Sequence, residues 1–125
     1  MARGKWNADA TPLIAGSGNV AAASAAATLT GTASTTVYIS GFEVTGSGST
    51  AGLPVTVTVA GLLGGTRSYT YTFETGATVG NKPLIVAYEP PLPASGVNTA
   101  IVVTCPSGGA GNTNNTVVAH GFYSA

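Results

Sequence analysis

The chain has 125 residues, and only 6% of them are charged: four basic and four acidic side chains, for a formal net charge of zero. A domain of this size buries about two thirds of its unfolded surface and needs no covalent staple. Nucleic acid is a poor partner for it, because neutralising phosphates takes clustered cations and the chain offers only Arg3, Lys5, Arg67 and Lys82.

Residues 1–19 read as an extended N-terminal arm. Pro12, Gly16, Gly18 and Asn19 break any hydrophobic period there. Arg3, Lys5, Trp6, Leu13 and Ile14 are the residues able to anchor it, and they are taken as a candidate subunit-contact arm, ordered only on a neighbouring subunit. Residues 20–125 form the second unit, a β-sandwich domain. The alanine-rich stretch 21–27 has helix propensity but is short, lacks an acidic first turn and runs into Thr28-Leu29-Thr30, so it is read as extended.

From there Val, Ile, Thr, Tyr and Phe fill segments bounded by Gly, Pro, Ser and Asn, and about seven strands result. In 36–45, Val37 and Ile39 share one face, and Gly41 predicts a bulge that switches the buried face before Phe42 and Val44. Residues 46–52 read as a loop. Val55, Val57 and Val59 alternate with Thr56 and Thr58, while Tyr69, Tyr71 and Phe73 alternate with Thr70 and Thr72. With the Gly64-Gly65 turn between them, 55–60 and 67–74 are expected to form a hairpin whose valines and aromatics share the core.

A strand over 84–88 is expected to stop at Pro90, Pro91 and Pro93, which cannot donate to a ladder and mark a crossing or an edge. Residues 99–105 form the next strand, ended by Pro106. The polar stretch 107–115 reads as a loop, and 116–123 as a final strand with Val118, His120 and Phe122 on one face. Short strands, polar turns and no helix give an all-β fold: a single β-sandwich or jelly-roll-like domain.

Little in the sequence points to chemistry. Asp9, Glu43, Glu74 and Glu89 are scattered, with no spacing that pairs two carboxylates on one bond. His120 is the only imidazole, so every nucleophile and base pairing must pass through it, and it is read as a hydrogen-bonded structural residue. Cys105 is the only cysteine, which excludes an intrachain disulfide, and no His/Cys spacing near it suits zinc. Two G-x-G-x-x-A matches, at 16–21 and 46–51, lack the strand and helix that would make a phosphate loop. Asn114-Asn115-Thr116 fits the glycosylation triplet by chance in an Asn- and Thr-rich stretch. No enzyme activity, cofactor or metal is therefore expected.

No run of about 18 apolar residues suggests a membrane helix, and Asp9, Pro12, Gly16 and Asn19 interrupt what would be the apolar core of a secretory signal. Weak charge repulsion between copies suits a protein held in an assembly. A carbohydrate-binding module is the alternative, if several of Trp6, Tyr38, Tyr69, Tyr71, Tyr88 and Tyr123 are exposed together.

The segment Thr36-Val-Tyr-Ile-Ser-Gly-Phe-Glu-Val-Thr-Gly-Ser-Gly48, the segment Ser95-Gly-Val-Asn-Thr-Ala-Ile-Val-Val103 and the close from Gly111-Asn to Ala119-His-Gly-Phe-Tyr123 carry a resemblance. Over about residues 26–123 the chain resembles short phage virion proteins of the capsid cement, or decoration, type. The resemblance implies a jelly-roll or sandwich domain on the capsid exterior. Its expected partners are the major capsid protein and further copies of itself, as a dimer or trimer. It implies no catalytic residues.

Overall fold

In a computed structural model, the described residues are 10–49, 54–75, 82–109 and 111–124. They form β1 (Ala10–Gly16), β2 (Ala25–Leu29), β3 (Thr36–Ser49), β4 (Pro54–Ala60), β5 (Arg67–Thr72), β6 (Glu74–Thr75), β7 (Leu84–Pro93), β8 (Ile101–Cys105) and β9 (Asn114–Ser124). Sheet A runs β1-β9-β3, with β7 antiparallel to the first part of β3 and the short β6 parallel to its end. Sheet B runs β2-β8-β4-β5 and is antiparallel throughout. Apart from β6, eight strands in the orders β1-β9-β3-β7 and β2-β8-β4-β5 make a jelly-roll sandwich.

The core lies between the sheets. Val37, Ile39, Phe42 and Val44 of β3 meet Val57 and Val59 of β4, Ile101 and Val103 of β8, and Val117 and Ala119 of β9, all fully buried. The expected hairpin is present: Val55 lies opposite Tyr71 and Val57 opposite Tyr69, and these side chains face the core. The expected switch of face in β3 is present as well. The ladder shifts register between Ile39 and Gly41 against both neighbours, so buried positions pass from 37 and 39 to 42 and 44. Only glycine fits at the switch, since a Cβ on Gly41 would stand 2.6 Å from the Val86 carbonyl oxygen.

Three expectations give way. Residues 10–16 are not an arm but edge strand β1, in continuous antiparallel register with β9 from Ala10–Ser124 to Gly16–Val118. Backbone pairing supplies what the broken hydrophobic period could not, and Pro12 is tolerated for a stereochemical reason. Ser17 donates its amide to the Val117 carbonyl, so odd-numbered residues of β1 bond to β9 and even-numbered ones face away. Pro12 therefore occupies a position whose N–H would have pointed off the sheet. Arg3, Lys5 and Trp6 lie outside the described residues.

Second, Gly46 to Ser49 is not loop but the end of β3, paired with Asn115, Asn114 and β6. Third, the prolines do not stop β7. The strand runs through them as the outer edge of sheet A, and a register jump from Ala87 opposite Gly41 to Leu92 opposite Ile39 loops 88–91 out of the ladder.

The polar stretch after β8 folds inward. Asn112 is buried, donating to the carbonyls of Ser47 and Asn114 and accepting from the Gly108 amide. Asn115 is fully buried in β9, and its Nδ2 reaches the carbonyls of Ala23, Cys105 and Pro106 at 3.2, 3.1 and 3.3 Å. One side chain thus ties the entry to β2 and the exit from β8 to sheet A. Asn114 spends its amide on Ser47 Oγ and Thr113 Oγ1, so the glycosylation triplet lies in an engaged strand. Cys105 packs in the same region, where burial pushes its thiol up to about 11. Stability linked to this thiol is full below its usual pKa and is lost as pH rises from there through about 11. Native protein is therefore expected to resist iodoacetamide at pH 8 and to label stoichiometrically once unfolded, read by mass spectrometry; rapid native labelling would contradict the burial.

Candidate functional site

Each sheet turns one face outward, and the two faces differ. Sheet B presents Thr28, Thr56, Thr58, Ser68, Thr70, Thr72 and Thr104, a hydroxyl-covered surface that hydrates without charge. Sheet A presents an apolar face built row by row across its four strands. Pro12, Phe122, Tyr38 and Pro93 stand opposite one another in the first row, with the Tyr38 and Phe122 rings stacked at 5.0 Å between centroids. In the next rows Ile14 lies opposite His120, and Val118 opposite Glu43, which in turn lies opposite Ile85. Ile14 and Ile85 are 76% and 66% exposed, unusual for side chains with nothing polar to offer water.

At the centre of this face three polar side chains meet. His120 Nε2 is 2.8 Å from Glu43 Oε2, and His120 Nδ1 is 3.1 Å from Ser40 Oγ. The Gly41 bulge makes the meeting possible: Ser40 and Glu43 are three residues apart, and only the extra residue puts both on the outer face. Ser40 Oγ also lies 3.0 Å from the His120 carbonyl oxygen, to which it donates. Its proton therefore goes to the backbone rather than to the imidazole. The arrangement orients the ring; it does not activate Ser40 as a nucleophile. Glu43 and His120 stay 37% and 40% exposed, a solvated pair set among apolar neighbours.

Among the described residues charge is segregated. Five charged residues fall among those described, and apart from Glu43 all of them lie on one side of the sandwich, where β5 and β7 are the outer strands. There the Arg67 guanidinium lies 5.9 Å from the centre of the Tyr88 ring, and Tyr88 shares a 2.7 Å hydrogen bond with Tyr69 across the two sheets. Burial, and then the Tyr69 hydroxyl, push the Tyr88 phenol well above its usual range. Glu89 follows on the looped-out part of β7, and Glu74 and Lys82 line a cleft of about 460 Å³ with Thr72, Phe73 and Leu84. The opposite side, formed by β1 and β2, carries no charged side chain among the described residues.

The expected contact residues separate. Leu13 turns inward and packs on the core, Ile14 turns outward beside His120, and Arg3, Lys5 and Trp6 are outside the described residues. The expected face of Val118, His120 and Phe122 is the outer one. Among the described residues the aromatics do not gather into an exposed platform: Tyr71 and Tyr88 are buried, Tyr69 and Tyr123 pack against the core, and Tyr38 with Phe122 is the outward pair. Among the described residues no group of three His, Cys, Asp or Glu side chains is placed to hold a metal. No protein-family model matches the chain, and no curated protein matches it in sequence.

Proposed function

We propose that this chain is a structural protein of a phage virion, a cement subunit that sits on the outside of the major capsid shell and bridges neighbouring subunits through largely uncharged contacts. The observation that carries the reading is the segregation of charge. Among the described residues, four of the five charged side chains lie on the β5/β7 side, whereas the β1 side and, apart from the Glu43–His120 pair, the outer face of sheet A offer apolar and neutral surface. The resemblance of residues 26–123 to decoration proteins points the same way. A carbohydrate-binding module is the second reading, favoured by the cleft at Glu74 and Lys82.

Cement that binds only the assembled shell adds free energy to that state alone. Heads carrying the protein are therefore expected to disrupt at higher temperature than heads without it, and attachment should change little between low and high salt, since screening acts on exposed charges. Thermal disruption profiles at two ionic strengths test both points. Equal disruption temperatures would end the cement reading and, with binding to soluble glycans, favour the module; release of the protein in moderate salt would overturn the uncharged interface.

A further inference from the structure

We propose that the outer edge of β1 pairs with β1 of a second copy of this chain, joining two A sheets into one continuous sheet across a two-fold axis near Ile14. The argument begins with the edges of the sandwich. On the β5/β7 side, Pro90, Pro91, Pro93 and the register jump deny β7 a regular row of donors, and the Tyr69–Tyr88 bond closes β5 against it. On the other side, β2 is five residues of AAATL, too short to offer much of a ladder. β1 is longer, seven residues in unbroken register with β9, and among the described residues no strand pairs with its outer edge.

Its backbone parity says what that edge offers. Ile14 and Gly16 direct their amides away from β9, and Pro12 and Ile14 direct their carbonyls the same way. Edges of this kind are normally guarded by a lysine, an inward charge or a bulge. β1 has none of these, and its one guard, Pro12, removes a single donor. The chemistry selects the occupant. An antiparallel strand pair about a two-fold axis is complementary to itself, so the outward amides on one copy meet the outward carbonyls on the other. No residue of β1 itself carries a charge that would repel its counterpart. Pairing also lays the two outer faces side by side, so the exposed Ile14 of each copy is covered by its counterpart.

This inference does not rest on the capsid reading and is tested on the isolated full-length chain. Light scattering across concentration should show the mass rising to twice the 12.2 kDa of one chain. Hydrogen exchange at the Ile14 and Gly16 amides should slow by about tenfold or more over the same range, while exposed loop amides do not change. Ile14→Pro removes an outward amide and leaves the bonds to β9 in place, so it should give a folded monomer; Ile14→Val should still dimerise. A chain that stays monomeric at every concentration overturns the proposal. So does a dimer in which the Ile14 and Gly16 amides exchange as fast as in the monomer, or one that survives Ile14→Pro. Head stabilisation by a strictly monomeric chain would sink this pairing and leave the cement reading standing.

Discussion

Phe73→Ala is expected to cost about 3–5 kcal/mol of stability, whereas Thr70→Ala should cost little. Phe73 is 1% exposed and lies past the end of β5, where no ladder holds it. Packing holds it instead. A Cβ on Gly46 or on Gly108 would come within 2.2 Å of its ring, so the ring fills a slot whose two walls are bare glycine backbone. Tyr71 meets it edge to face at 5.2 Å. Neither wall can collapse into the space left by alanine, because one is tied into β3 and the other accepts a hydrogen bond from Ser49. Urea unfolding of the two variants decides it. Similar losses from both would mean that the slot is not what anchors this corner.

Asn115→Asp should be of comparable severity, costing about 3 kcal/mol or more at neutral pH. The substitution is nearly isosteric, so shape is not the cause. Asn115 Nδ2 is a donor surrounded by three carbonyl oxygens, and its own Oδ1 is buried without a hydrogen-bond partner. A carboxylate there puts negative charge against the carbonyls of Ala23, Cys105 and Pro106. The folded state then favours the protonated acid, so the carboxyl titrates higher folded than unfolded. Above the unfolded value of about 3.9 the unfolded state ionises first, and the penalty grows with pH. Unfolding midpoints at pH 4 and pH 7 should show the variant closer to the parent in acid. A midpoint equal to the parent at pH 7 would mean that the three carbonyls do not depend on that donor.

Much of the sandwich was legible because alternation is a local signal. Val55 to Val59 and Tyr69 to Phe73 declare their buried face by their spacing, and a glycine between two alternating runs declares the bulge at 41. What was missed depends on partners distant in sequence. β1 is a strand because β9 lies beside it, and nothing within 10–16 announces a ladder with 118–124. The polar run 112–115 looks like loop because its composition is loop-like, and its amides become structural only when Ser47, Ala23 and Cys105 arrive from elsewhere. The Ser40, Glu43 and His120 cluster was within reach. The bulge at Gly41 implied that Ser40 and Glu43 share a face, but placing His120 beside them needs the register of β3 with β9.

The position of β9 also shapes how the molecule is made. The last strand in chain order is not at an edge but between β1 and β3, touching both along nearly their full lengths. As the chain leaves the ribosome, β3 and β7 can meet early, and sheet B already has all four of its strands once residue 105 has emerged. Sheet A cannot close, because its middle is still to come. Until residues 114–124 arrive, β1 has no hydrogen-bonded neighbour strand among the described residues and β3 shows one open side. Completion is a strand insertion into a waiting gap, so the nascent chain keeps the facing edges of β1 and β3 open until residues 114–124 emerge and closes both in one step.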